Sequence, residues 1–184
     1  GQLGDGTDHA RPQAIPVPVR LQAGTVITSV ACGEEMSVAL SREGHVYTWG
    51  QGVNGQLGHS TRRPELRPKR VRAFDSHGVR IMAIDAGPSH AVAVSLEGRL
   101  FTWGKECGTL GQGEGHFLRK PTVVSRLSLE RVVCASAGHA HTVAVTVPFG
   151  AVWLWGAFGA AGDCMSLTPI SLLPSPPPTS STFE

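Results

Sequence analysis

The chain has 184 residues, enough for one domain or two small ones with a sizeable core. Its 16 basic and 14 acidic residues leave a formal charge of +2, which excludes a whole-molecule field that would draw it to nucleic acid or to a membrane surface. No apolar run approaches the roughly 20 residues of a membrane-spanning helix, and the opening GQLGDGTDH lacks the basic and apolar regions of a secretory signal.

The pattern begins with Gly1-Gln2-Leu3-Gly4 and a turn-rich Asp5-Gly6-Thr7. An extended run follows at Ile15–Leu21, with Val17, Val19 and Leu21 at period two. Pro16 and Pro18 cannot donate to a ladder, so this run is expected at a sheet edge or leading into one. Three short apolar runs come next, Val26–Cys32, Met36–Ser41 and His45–Trp49, punctuated by Gly33 and Gly44. That is the grammar of strands joined by tight turns. No segment carries a helical apolar stripe over 11 residues or more.

The plan is then repeated. Gly44–Gly58 reads GHVYTWGQGVNGQLG, Gly98–Gly111 reads GRLFTWGKECGTLG, and Gly150–Gly162 reads GAVWLWGAFGAAG. Trp49, Trp103 and Trp155 stand 54 and 52 residues apart, and Gly33, Gly87 and Gly138 stand 54 and 51 apart. The second unit offers strands at Lys69–Phe74, Arg80–Ala86, His90–Ser95 and Arg99–Trp103. The third offers them at Pro121–Val124, Arg131–Ala137, His141–Val147 and Ala151–Trp155, with one extra residue near Val147-Pro148 that predicts a bulge or a longer turn. Four short strands per unit of about 50 residues is the signature of an all-β array or propeller. Units of roughly 1–54, 55–107 and 108–158 are expected. Small residues at 31, 32, 39, 86, 91, 93, 137, 140 and 144 suit close approach of sheets near an axis, with the tryptophans packed farther out. The repeated Gly55, Gly58, Gly108 and Gly111 are expected where the chain crosses to the next unit. After Gly162 the pattern fails: Asp163–Leu167 reads as a degenerate start of a further blade, and the Pro/Ser-rich remainder to 184 as a disordered tail.

Cys32, Cys107, Cys134 and Cys164 show no C-x-x-C pairing, and the histidines fall at repeat positions instead of metal spacing. Reduced, mostly buried thiols in a cytoplasmic or nuclear protein are expected, with neither metal nor cofactor.

Together, Gly55-Gln56-Leu57-Gly58, Ala31-Cys32-Gly33 with Val38-Ala39-Leu40, and Gly44 through Gly50 resemble the repeats of the regulator of chromosome condensation family over residues 1–162. The resemblance implies blades of a seven-bladed β-propeller, each of four antiparallel strands. About three full blades plus partial ones are present, an incomplete ring whose other blades a longer chain is expected to supply. The structural repeat positions are Gly33, Gly44, Trp49, Gly50, Gly55, Gly58, Gly87, His90, Gly98, Trp103, Gly104, Gly108, Gly111, Gly138, His141, Gly150, Trp155 and Gly156. Met36 departs from the histidine of the other two units, and Gly159-Ala160-Ala161-Gly162 has lost Gln-Leu. A plant photoreceptor resembling this family carries tryptophan where this chain has Glu34, Pro88 and His139, so a light-sensing cluster is not expected.

His90 and His141 recur, which points to a hydrogen-bonded scaffold role, since a catalytic group is needed once and a packing group in every unit. His45, His59 and His139 do not recur and are expected to face solvent. No G-x-S-x-G, H-E-x-x-H or P-loop spacing occurs, so no catalytic residue is assigned. One basic run stands out: Arg62, Arg63, Arg67, Lys69, Arg70 and Arg72 with the single acid Glu65. It is expected as a solvated loop leading into a strand, and as the place where an acidic partner, a histone surface or nucleic-acid phosphates would make contact. Lys69–Arg72 also fits a short nuclear-import pattern. The expected function is a non-enzymatic protein-interaction scaffold. The resemblance implies two alternatives: guanine-nucleotide exchange on a Ran-type small GTPase with chromatin binding, and substrate recruitment for a larger ubiquitin ligase or kinase.

Overall fold

In the computed structural model the described residues are 1–7, 18–105, 108–113, 117–157 and, for the backbone, 164–171. They form twelve strands: β1 Ile27–Cys32, β2 Met36–Ser41, β3 Val46–Gly50, β4 Glu65–Arg70, β5 Ile81–Ala86, β6 His90–Ser95, β7 Leu100–Lys105, β8 Phe117–Val123, β9 Arg131–Ala137, β10 His141–Val147, β11 Ala151–Ala157 and β12 Cys164–Ser171. Two 3-10 turns, Arg72–His77 and Ser125–Leu127, follow β4 and β8. The strands make three four-stranded antiparallel sheets in sequential order, β1 to β4, β5 to β8 and β9 to β12. This is an all-β arc of propeller blades.

The strands lie where the period places them, but the units are out of phase by one strand. The run after each G-x-x-G turn does not open the next sheet. It folds back on the tryptophan strand it has just left, pairing Tyr47 with Arg70 and Thr48 with Lys69. The same holds for Phe101 with Val123 and Thr102 with Thr122. Correspondingly, Cys164–Ser171 pairs with β11 and completes the third sheet, where the sequence suggested a further blade. Pairing there covers the otherwise open edge of the tryptophan strand, whose backbone donors and acceptors need a ladder partner. The expected Lys69–Phe74 strand is also corrected. The strand ends at Arg70, and Phe74 enters the core from a 3-10 turn closed by Gly78 at φ 60°. There it stands edge-on to Phe101, ring centroids 5.3 Å apart at 85°.

Pro18–Leu21 forms no strand, and the rest of the Ile15–Leu21 run lies outside the described residues, as do Cys107, the GAAG turn and the chain beyond Ser171. The extra residue of the third unit lengthens β10 to Val147, and the Val147–Pro148 bond is cis.

Neighbouring sheets approach most closely through their first two strands, β1 and β2 against β5, and β5 and β6 against β9. Ala91, Ala93 and Ala144 are buried there, whereas Ala39 is buried on the opposite face of the first sheet with Tyr47 and Trp49. The approach leaves no room for a side chain at Gly87, where an added methyl carbon would lie 2.4 Å from the Gly138 carbonyl oxygen. Between the first and second sheets the core holds Met36, Val38, Leu57, Phe74, Ala91, Phe101 and Trp103. Between the second and third it holds Val92, Leu100, Leu127, Val132 and Trp155. Cys32 and Cys134 are free but exposed, contrary to the expected burial. They lie on the first strands of the outer two sheets, where alternate residues point away from the packed face.

Candidate functional site

The repeat residues are occupied in joining blades. Each of the three recurring tryptophans donates its indole N–H to a carbonyl in the preceding G-x-x-G turn: Trp49 to Gln2 at 2.8 Å, Trp103 to Gln56 at 2.8 Å and Trp155 to Thr109 at 2.9 Å. The last glycine of the turn lies beneath the ring. At Gly58 (φ 74°) and Gly111 (φ 68°) a methyl carbon would meet the indole nitrogen at 3.0 and 2.9 Å. The turn is therefore an intra-sheet connection that clamps the next blade, where a crossing between units was expected.

His90 is buried, and its Nε2 lies 3.2 Å from the Thr142 hydroxyl on the next sheet. That hydroxyl spends its proton on the Thr109 carbonyl at 2.8 Å, so the imidazole donates from Nε2. Burial holds its pKa down at about 4, with Asp85 opposing and His141 assisting. His90 thus ties one blade to the next and makes no contact with solvent-borne chemistry.

His59 departs from its expected solvent-facing place. It is half-buried, with Nε2 3.0 Å from the Thr48 hydroxyl, which itself donates to the Leu57 carbonyl. Burial, then the nearby Lys69, lower its pKa. His45 is likewise half-buried, in contact with Arg80, and burial followed by Arg70 and Arg80 lowers its pKa. His139 is exposed as expected.

The basic run does not form one patch. Arg62 lies in the loop before β4, its guanidinium 5.1 Å from the centre of the Phe117 ring on the second sheet. Arg63 is exposed beside it. Within β4, the outermost strand of the first sheet, Arg67 lies against Gly6 and Lys69 pairs with Glu65. Arg70 pairs with Asp75 at 2.6 Å, while its Nε is buried with no acceptor. Val71 is buried and Arg72 exposed, so the Lys69–Arg72 tetrad is folded into a strand end and a turn.

What the tertiary structure adds is a groove. Gly58, His59, Ser60, Lys69, Arg70, Arg72 and Ala73 enclose a cavity of about 170 Å³. Ser60 and Ala73 are shared with a larger cavity of about 590 Å³, floored by Phe74, Val79, Phe101, Pro121 and Val123 and flanked by Arg99 and Lys120. Ser60 is the single non-glycine residue at positive φ, 63°, among the described residues. Arg99 and Lys120 belong to the second sheet and lie far along the chain from the basic run, so no local pattern marked them. Among the described residues, no group of three or more His, Cys, Asp or Glu side chains is placed to hold a metal, and no helix is long and apolar enough to cross a membrane.

The pattern of the Regulator of chromosome condensation (RCC1) repeat matches residues 1–40, 43–94 and 97–145. The chain belongs to the RCC1 repeat family. It is 34% identical over 146 residues to the E3 ubiquitin-protein ligase HERC2 of Homo sapiens, covering 78% of this chain and 3% of that one. It is 33% identical over 165 residues to the Ultraviolet-B receptor UVR8 of Arabidopsis thaliana, covering 88% and 36%. Among solved structures, human WBSCR16 superposes with a TM-score of 0.72 at 26% identity, over 84% of this chain and 40% of that one. Prp20p of Saccharomyces cerevisiae superposes with a TM-score of 0.67 at 22% identity, over 81% and 39%. The chain thus spans well under half the length of each of these proteins.

Proposed function

We propose that this RCC1-repeat chain is a non-enzymatic protein-interaction module of the cytoplasm or nucleus, and that its rim at β4 and the adjoining loop is the contact surface. One observation carries the reading. The residues that recur are consumed in joining blades, whereas the chemically distinctive, non-recurring ones, Arg63, Arg67, Lys69 and Arg72, are exposed on one outer strand and its flanks. A charged outer strand over a rigid scaffold is suited to reading an acidic protein surface. Free Cys32 and Cys134 suit a reducing compartment. The immobilised chain is expected to retain a protein partner, and reversing Arg63, Arg67 and Arg72 to Glu is expected to lower that retention at least tenfold with the thermal melt unchanged. Retention unaffected by the reversal would remove this surface from the reading.

The 34% identity to a segment of HERC2 supports a second reading, substrate recruitment within a larger ubiquitin ligase. It predicts that the retained partner is a ubiquitylation substrate of the full-length protein. The exchange-factor reading draws only on likeness of fold to Prp20p, a protein that binds Gsp1p and histones. It requires faster release of labelled GDP from a Ran-type GTPase in the presence of this chain.

A further inference from the structure

The small cavity beside β4 has the chemistry of an anion site. Three cationic side chains, Lys69, Arg70 and Arg72, line it together with the Ser60 hydroxyl and His59. Arg70 is oriented by Asp75 through Nη2, which leaves its buried Nε–H without an acceptor. A guanidinium N–H left without an acceptor is costly, and Arg70 lines the cavity in which an oxyanion could supply one. At about 170 Å³ the space is several times the about 30 Å³ share of a liquid water, room enough for a tetrahedral oxyanion. No carboxylate lines it, because Glu65 and Asp75 are each engaged with a base at its margin.

The neighbouring cavity decides what kind of molecule carries the anion. It is continuous with the first through Ser60 and Ala73, and its lining contains Phe74, Val79, Phe101, Pro121 and Val123 with Arg99 and Lys120, again without a carboxylate. Phe74 and Phe101 are buried and packed edge-on to each other, so they offer no flat platform for a nucleobase. The groove is one small pocket with three bases around it, followed by a larger trough of mixed apolar, hydroxyl and basic lining. Five bases line the groove, and the acids nearest to it, Glu65, Asp75 and Glu97, stand outside the lining, each paired with one of those bases.

We propose that this groove, between the first and second blades, binds a phosphorylated segment of a partner protein. The phosphate monoester occupies the cavity at Lys69, Arg70 and Arg72, and an apolar residue beside it occupies the trough over Phe74 and Phe101. Phosphate oxygens accept from the Arg70 Nε–H and from the Lys69 and Arg72 head groups. Ser60, held in a left-handed conformation at the junction, supplies a hydroxyl to the bridging backbone or ester oxygen. This rests on the interaction-module reading and deepens it by naming the class of ligand.

The test uses the 184-residue chain and an immobilised degenerate peptide pool, Ala-X-X-phosphoserine-X-X-Ala, beside its unphosphorylated twin, at about 0.15 M ionic strength. Retention by the phosphorylated pool is expected to exceed that by the twin at least tenfold, with enrichment of apolar residues next to the phosphoserine. The exposed double variant Lys69→Gln/Arg72→Gln is expected to lose that preference, whereas Arg126→Gln on the distant 3-10 turn keeps it. Arg70→Lys, which retains the charge and deletes Nε, is expected to lose most of it. Equal retention by the two pools, or a preference that survives the double variant, would overturn the proposal. So would inorganic phosphate competing as well as the peptides, or a single-stranded oligonucleotide outcompeting them. If a protein partner is captured but phosphatase treatment leaves capture intact, the phosphate site fails and the interaction module stands. If no partner is captured, the module reading fails and the peptide titration still judges the groove.

Discussion

At the seam between the first and second sheets Met36 fills the space that faces Ala91, and both are buried in one apolar cluster. At the seam between the second and third sheets the equivalent pair is His90 and Thr142, joined by a hydrogen bond 3.2 Å long. The second seam adds Asp85, whose Oδ2 accepts from the Ser136 hydroxyl at 2.7 Å and from the Ala137 N–H at 2.9 Å; Ala31 stands at the corresponding place in the first blade. One backbone plan therefore tolerates an oily seam and a polar one, provided the change is made on both sides at once. The shared part is the clamp of indole N–H to turn carbonyl, which needs only a backbone acceptor and so survives the change from Gln56 to Thr109. The polar seam gains direction and register. It also acquires groups that cost heavily when left alone.

The largest effect expected is at the clamp. Trp103 is fully buried between the first two sheets, and Trp103→Ala should cost about 3–5 kcal/mol, read from urea unfolding. Next comes a pH response at the polar seam. A histidine held at about 4, against 6.5 ordinarily, takes up its proton more readily in the unfolded chain. The stability this gives is fully present above pH 6.5 and is lost as the pH falls toward 4, by about 3 kcal/mol at most. His90→Met should flatten that part of the pH profile of unfolding, whereas Met36 makes no such contribution at the first seam.

A sharper form of the comparison transplants one seam onto the other. His90→Met leaves Thr142 without its donor, and His90→Met/Thr142→Ala rebuilds the Met36 and Ala91 arrangement. A double-mutant cycle should show coupling of about 0.5–3 kcal/mol between these neighbours; additive costs would mean that the pair does not act as a unit. Asp85→Ala should cost about 1–3 kcal/mol by leaving the Ala137 N–H and the Ser136 hydroxyl to find other partners, measured by the same unfolding assay. The smallest effect belongs to the rim, where Glu65→Gln, removing the partner of exposed Lys69, should change stability by no more than about 1 kcal/mol.

Much of this was readable along the chain. The strands β2, β6, β9 and β10 occupy the segments that alternation and glycine punctuation mark out, because each is short, apolar and bounded by a turn that needs no distant partner. Trp49, Trp103 and Trp155, 54 and 52 residues apart, announced a repeated packing role for the same reason. The basic run was visible as composition. Its division into Arg62 on an aromatic ring, Lys69 and Arg70 in ion pairs and Arg63 and Arg72 in solvent was not. Only the Phe117 ring comes from a distant element; Glu65 and Asp75 are local, but which base each one takes depends on the strand end and the 3-10 turn that follows it.

The residue order therefore specified the period, the strand type and the clamp residues, since these depend on local turns and on spacing that recurs. Which sheet each fourth strand joins was settled in three dimensions, where the open edge of the tryptophan strand takes up the run that follows it across the intervening loop. So was the groove. His59, Ser60 and Arg70 come from the first blade and Arg99 and Lys120 from the second, and only the packing of one sheet on the next brings their charges around a common space.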